Sequence, residues 1–182
     1  MTFTVPTSDQ DLEQILALQQ QNLKTSLDPQ TIHSQGFVTV VHDFELIKKM
    51  NQTAPQVIAK DGHRVIGYAL TMPRSLSEAV PVLKPMFEMI AQLDFEEKAI
   101  GQMSYYAMGQ ICVADGYRGQ GVFDGLYQHH KALYSSTYDL ILTEISTSNT
   151  RSMAAHQRVG FKTIHTFMDT TDEWNIVAWD WK

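Results

Sequence analysis

A mixed α/β fold built on one central sheet is the architecture this sequence predicts, and three observations carry the prediction. Two β-rich runs, residues 56–60 and 64–70, flank Asp61-Gly62, a pair that accepts the positive φ of a hairpin turn. Apolar strand-like runs at 105–113 and 138–145 are separated by a segment with helical periodicity. A last pair of runs, 161–168 and 174–181, closes around Asp169-Thr170-Thr171-Asp172. Strands joined first by turns and then through helices belong to a single mixed sheet. We expect about seven strands, mostly antiparallel and flanked by helices.

A chain of 182 residues with 43% hydrophobic and 19% charged side chains suits one domain, 1–182, with a sizeable core. Phe3 to Val5 reads as a first strand. Thr7 to Gln10 then offers capping side chains to a helix carrying Leu12, Ile15, Leu16 and Leu23, which Asp28-Pro29 breaks. A second helix covers 44–51, with Phe44, Ile47 and Lys48 on its inner edge. Between the first hairpin and the strand at 105, residues 74–100 carry Pro81, Pro85 and a stripe of Met86, Phe87, Met89, Ile90 and Leu93. A third hairpin strand needs no such connection, so this stretch is an insertion with its own helix. The stripe is either core packing or a lid over a site. Val122, Leu126, His130 and Leu133 share one face of the next helix, and residues 149–159 form another, stopped by Gly160.

Several function classes are excluded early. The net charge of −6 argues against nucleic acid, which binds basic surface. No apolar run approaches the roughly 20 residues of a membrane-spanning helix, and the N-terminus lacks a signal-peptide pattern. With Cys112 as the only cysteine, an internal disulfide is impossible and a cytoplasmic setting is the simplest expectation. The histidines, including His129-His130, show no metal-ligand spacing, so no metal is expected.

The feature richest in chemistry is Gly116-Tyr117-Arg118-Gly119-Gln120-Gly121, set between a strand and a helix. A helix start leaves amide groups unpaired, and together with the helix dipole these attract an anion. Glycines let a ligand approach the backbone, and Arg118 adds charge. A pyrophosphate fits; so does a plain exposed turn that holds three glycines. A Walker loop is excluded, because Val122 and Phe123 follow Gly121 where Lys and Ser or Thr belong. A dinucleotide fingerprint needs an acid ending the next strand, and Asp139 precedes that strand instead.

The segment from Gln110 to Val122 resembles the acetyl-CoA-binding motif of the GNAT acyltransferase superfamily, with Arg118 and Gly121 matching and Phe123 standing where a small residue is usual. A second family pattern follows: Asn149, Gly160 and Phe161 fit it, and His156 occupies the position of its Tyr. The resemblance implies the GNAT fold and direct acyl transfer from acetyl-CoA to a primary amine, in a small molecule or a peptide. It implies that backbone groups of Ile111 and Val113 meet the acetyl and pantetheine portion. Those of Arg118, Gly119, Gln120, Gly121, Val122 and Phe123 would hold the pyrophosphate, and Asn149 and Ser152 would lie on the cofactor side of the cleft.

Amine attack on a thioester needs a proton acceptor and a proton donor. Asn149, Ser152 and His156 share a helix face, and His156 takes the family's acid role or is a core histidine bonded to a backbone carbonyl. The family's usual strand Glu is replaced by Ala107, leaving Glu144 as the best remaining carboxylate for the base, unless it is an edge-facing or salt-bridged residue. Tyr105 and Tyr106 either line the acceptor pocket or serve sheet packing, which explains them equally well. Cys112 reads as a buried, inert thiol. The aromatics of the closing strand, Trp174, Trp179 and Trp181, suggest a homodimer surface. A non-catalytic acyl-CoA-binding or partner-binding module on the same fold is the alternative.

Overall fold

The structure, a computed structural model, describes residues 1–28, 30–32, 36–78 and 83–181. Pro29 of the expected helix break and Pro81 of the insertion lie outside them. Nine strands and five α-helices are used below: β1 (Thr2–Thr4), α1 (Asp9–Gln21), α2 (Phe44–Thr53), β2 (Val57–Asp61), β3 (Arg64–Pro73), α3 (Lys84–Ile90), β4 (Asp94–Phe95), β5 (Lys98–Ala99), β6 (Tyr105–Val113), α4 (Val122–Tyr134), β7 (Leu140–Ser146), α5 (Thr150–Val159), β8 (Lys162–Met168) and β9 (Glu173–Asp180). Seven of the strands form one sheet in the order β1-β2-β3-β6-β7-β9-β8, and β4 with β5 makes a separate small hairpin. Among the registers described, only β6 with β7 is parallel, so the expected mixed, mostly antiparallel sheet of seven strands is what forms. The chain groups into two compact units, Met1–Thr71 with Gly109–Leu133 and Met72–Met108 with Tyr134–Lys182.

In the first unit, Ser8 caps α1 by accepting from the Asp11 amide, and Asp11 itself is buried against Lys60 at 2.7 Å. The helix stops at Gln21, earlier than the sequence suggests. Asn22 turns its side-chain amide onto the Leu18 carbonyl, and Leu23 leaves the helix to bridge Val38. Lys48 is not an inner-edge residue of α2: it meets Asp9 at 2.8 Å on the surface, while Ile47 and Met50 are fully buried. The predicted hairpin forms with Gly62 at φ 57°, and a bulge between Ala59 and Lys60 offsets its register. On α4, Leu133 is 39% exposed, whereas Tyr127 is buried. Val122 and Leu126 sit against Gly67 of β3, and the Phe3 ring fills the notch at Gly125.

In the second unit the insertion has its own helix, as expected. Phe87 and Ile90 of α3 are buried, whereas Met86, Met89 and Leu93 are only half-buried. The periodic pattern gave no hint of the β4–β5 hairpin, whose turn residues Glu96 and Glu97 take positive φ. Gly160 ends α5 at φ 127°, where a Cβ would meet the Trp179 indole. β9 lies inside the sheet rather than at its edge. Trp179 packs on Phe161 and Trp181 on Tyr106.

Candidate functional site

The loop between β6 and α4 is an open cradle. Gly116, Gly119 and Gly121 take φ of 82°, 75° and 80°, values that L side chains rarely adopt. A Cβ on any of the three would meet nothing within 4 Å, so the space beside the backbone is empty. Gly119, Gln120 and Gly121 are exposed, and α4 begins at Val122, where the first amides of a helix have no internal acceptor. Concave amides and a helix dipole make a place for a phosphate-bearing group.

Its walls are tied down by side chains. The Arg118 guanidinium donates through Nε to the Val113 carbonyl at 3.1 Å and through Nη2 to Asn22 Oδ1 at 2.6 Å. The fixed charge expected from Arg118 is therefore also a brace, joining the loop to the end of α1. Gln120 closes the loop on itself by donating to the Gly116 carbonyl at 2.6 Å, and Tyr117 reaches Asp61 at 2.8 Å. Val122 is buried at the root of the loop, and the half-buried Phe123 sets its ring edge against Tyr127. Along β6, Gly109, Ile111 and Val113 are half-exposed while Gln110 and Cys112 are buried. The Val113 carbonyl is engaged by Arg118. Burial pushes the Cys112 thiol up to about 12, as suits an inert side chain.

A polar network that sequence reasoning missed lies behind this strand. Gln110 Oε1 accepts from Gln19 Nε2 at 2.8 Å and from the Tyr68 hydroxyl at 2.5 Å, and Gln110 Nε2 donates to the Val40 carbonyl at 2.9 Å. Gln19 also meets His42 twice, at the ring Nδ1 and the backbone amide. All four side chains are buried, and desolvation lowers His42 to about 4. One signal was available: Gln19 stands four residues after Ile15, on the apolar face of α1.

The second unit holds the candidates for proton transfer. Glu144 sits on β7 opposite Ile176 of β9, which in turn faces His165 of β8. Its Oε1 is buried with no hydrogen-bond partner. Burial, with the Asp169 charge adding to it, raises the Glu144 carboxyl to about 7. That is where a group exchanging protons at neutral pH should titrate.

His156 does not match the acid role. It is 1% exposed, its Nδ1 donates to the Ser152 carbonyl at 2.8 Å, and its ring packs edge-on against Phe161. Desolvation lowers it to about 4, so at neutral pH it holds only the proton already committed to Ser152. Of its two alternatives, the core histidine is the one the bonding fits. Asn149, Ser152 and His156 do share one face, linked in series: Asn149 Oδ1 caps α5 by accepting from the Ser152 amide at 3.3 Å. Asn149 is buried and Ser152 half-buried. Met153 of α5 meets Asn175, whose strand partner is Ile145, so α5 covers the face opposite to Glu144.

The two tyrosines separate as neighbours on a strand must. Tyr106 is fully buried among Tyr134, Tyr138 and Trp181, a core position that removes it from the acceptor pocket. Tyr105 shares the Glu144 face, packs near Phe87, and has a buried hydroxyl without a partner. Among the described residues no three His, Cys, Asp or Glu side chains are grouped to hold a metal, and no helix is long and apolar enough to cross a membrane.

No family model and no curated protein sequence matches this chain. Solved structures do. A ribosomal-protein-alanine N-acetyltransferase from Brucella melitensis superposes with a TM-score of 0.64 at 16% identity, covering 99% of each chain. An N-acetyltransferase from Staphylococcus aureus gives 0.65 at 17%, over 100% of this chain and 98% of its own. A Salmonella typhimurium protein solved with its cofactor acetyl-CoA gives 0.64 at 11%, over 100% and 94%. The chain has the fold of the GNAT N-acetyltransferases.

Proposed function

We propose that the protein is an acetyl-CoA-dependent N-acetyltransferase acting on a primary amine, in a small molecule or at the end of a peptide. The observation that carries this reading is the cradle at Gly116–Gly121, three left-handed glycines opening on empty space before a helix. The residues present fit the cofactor: backbone amides from Gly119 to Phe123 face a pyrophosphate with no side chain in the way, braced by Arg118. Ile111 and Val113, half-exposed positions of β6, would meet an extended pantetheine arm with their backbone groups, as an added strand does. When bound, acetyl-CoA supplies an activated acyl group as a thioester. The Brucella protein is a ribosomal-protein-alanine N-acetyltransferase, which supports a peptide or protein amine among the acceptors.

Within the chain, Glu144 takes the proton that the attacking amine loses. With its carboxyl near 7, about half of it is ionised at neutral pH and ready to accept. Tyr105, with an unspent hydroxyl on the same face of the sheet, offers a hydrogen bond on the acceptor side, beneath the insertion helix. Asn149 and Ser152 shape the start of α5, and His156 holds that helix end in the core. A cytoplasmic setting, where a buried free cysteine stays reduced, belongs to the same reading.

The weakness of His156 as an acid favours one competing reading, an acyl-CoA-binding module without turnover. Calorimetry with acetyl-CoA and thiol release across an amine panel decide between them. Binding with release supports the enzyme, binding without release supports the module, and no binding at tens of micromolar defeats both.

A further inference from the structure

The end of α1 grips the cofactor strand and its loop at two points. Gln19 Nε2 donates to Gln110 of β6 at 2.8 Å, and Asn22 Oδ1 accepts from Arg118 Nη2 at 2.6 Å. Ile111, Cys112 and Val113 lie between those two anchors in sequence. Asn22 is buried, and every polar atom it carries is engaged. Its amide donates to the Gln19 carbonyl at 2.9 Å, its carbonyl accepts from the Val38 amide at 3.0 Å, and its Nδ2 donates to the Leu18 carbonyl at 2.8 Å. These bonds fix which way the side-chain amide faces. The Leu18 carbonyl can only accept, so it takes the NH2 end; a guanidinium can only donate, so Arg118 takes the oxygen. A leucine of similar size would serve neither, and an aspartate would set a second oxygen against the Leu18 carbonyl.

We propose that Asn22 is a positioning residue for the cofactor, acting through Arg118 to hold the Gly116–Gly121 cradle in shape for a pyrophosphate. This rests on the acetyl-CoA reading above. Arg118 also donates from Nε to the Val113 carbonyl at 3.1 Å, so its planar group spans from the end of α1 to the last residue of β6. A free arginine arm samples many rotamers, and holding it on both sides removes that freedom before a ligand arrives. The three glycines, at positive φ and open on empty space, have no side chains with which to fix the loop, so its order comes from bonds to neighbours. The Tyr117–Asp61 and Gln120–Gly116 bonds are exposed to water, whereas the Asn22 side chain is buried, and a bond shielded from water is the stronger.

Asn22→Leu and Asn22→Asp separate positioning from stability. Both lose the donor to the Leu18 carbonyl, so both should unfold at lower temperature. Only Asn22→Asp keeps an oxygen for Arg118. In calorimetry, acetyl-CoA should bind about tenfold more weakly to Asn22→Leu and within about twofold of wild type to Asn22→Asp. The KM for acetyl-CoA should rise in Asn22→Leu while kcat stays within about twofold. In an Arg118→Ala background, Asn22→Leu should weaken binding no further. Backbone amide exchange from Gly119 to Phe123, read on the protein alone, should speed up in Asn22→Leu and in Arg118→Ala but not in Asn22→Asp. Equal affinity in the two Asn22 variants overturns the proposal, as does an undiminished effect of Asn22→Leu without Arg118. Unchanged exchange in Asn22→Leu and Arg118→Ala overturns it whether or not the cofactor binds. Failure of the wild-type protein to bind acetyl-CoA defeats the acetyl-CoA reading separately.

Discussion

Gly121→Ala isolates the cradle from ordinary backbone strain. Gly121 sits at φ 80° with nothing within 4 Å of where an alanine methyl would stand, and Gly62 in the β2–β3 turn sits at φ 57° with nothing within 4 Å either. An alanine at either position clashes with no atom, so the folded state loses only the cost of a left-handed L residue, about 1–2 kcal/mol. For a chain of this length that lowers the melting temperature by about 2–8 °C in both variants. Only at Gly121 does the methyl enter the space assigned to a pyrophosphate. If it displaces one or two amide contacts to a charged group, at about 1.5–3 kcal/mol each, acetyl-CoA affinity falls by at least about tenfold. Gly62→Ala should bind as the wild type does. The assay is paired: thermal unfolding for the shared strain, calorimetry with acetyl-CoA for the difference. Equal affinity in the two variants, at equal stability, would show that the glycines serve only the turn.

The remaining predictions concern the buried polar groups. Glu144→Gln should cut turnover about 10²-fold or more with acetyl-CoA affinity unchanged. Because the folded-state carboxyl is raised from 4.5 to about 7, the wild type loses stability as pH rises through that window. Glu144→Gln should therefore be the more stable protein at pH 8, by about 3 kcal/mol in urea unfolding, with no gain at pH 4. His42, His130 and His156 shift the opposite way, to about 4, 3 and 4, so their contribution is present above pH 6.5 and is lost as pH falls toward 4. Three protons taken up on unfolding, less the one Glu144 holds when folded, leave two; stability should drop by about 3 kcal/mol per pH unit near pH 5. Tyr68→Phe removes one donor from an oxygen that still accepts from Gln19 and should cost about 1 kcal/mol. Gln110→Ala removes a partner from Gln19, from the Tyr68 hydroxyl and from the Val40 carbonyl, and should cost about 3 kcal/mol by the same unfolding assay.

Much of the fold was legible because it is written in local chemistry. Asp61-Gly62 marks a tight turn, Gly160 stops a helix by its φ, and the apolar run at 105–113 is a strand. What the sequence hid was what tertiary packing decides. Leu133 has the periodicity of a core residue and is nevertheless left 39% exposed, near the end of α4. The roles of Tyr105 and Tyr106 are indistinguishable by type and differ only in which face of β6 each occupies. His156 has the right place in a family pattern, but its chemistry depends on burial and on the Ser152 carbonyl, neither of which a pattern records.

The contrast between His156 and Glu144 says where the site spends stability. Both are ionisable groups removed from water, but their environments answer that differently. His156 stays neutral, with its ring nitrogen on a carbonyl and its edge on Phe161, so its burial costs little. Glu144 keeps a buried oxygen without a donor, which costs on the order of 1–3 kcal/mol in a fold that could have put a leucine there. Packing alone would remove such a residue, since an apolar side chain on β7 would join Leu140 and Leu142 in the core. Its neighbours then make the cost larger rather than smaller, because the turn carrying Asp169 adds negative charge where a lysine or arginine would have relieved it. A destabilised carboxyl held near neutrality is what proton transfer from an amine requires, and no structural need explains it. On the proposed reading, the Glu144 face of the sheet rather than the α5 face carries the proton transfer.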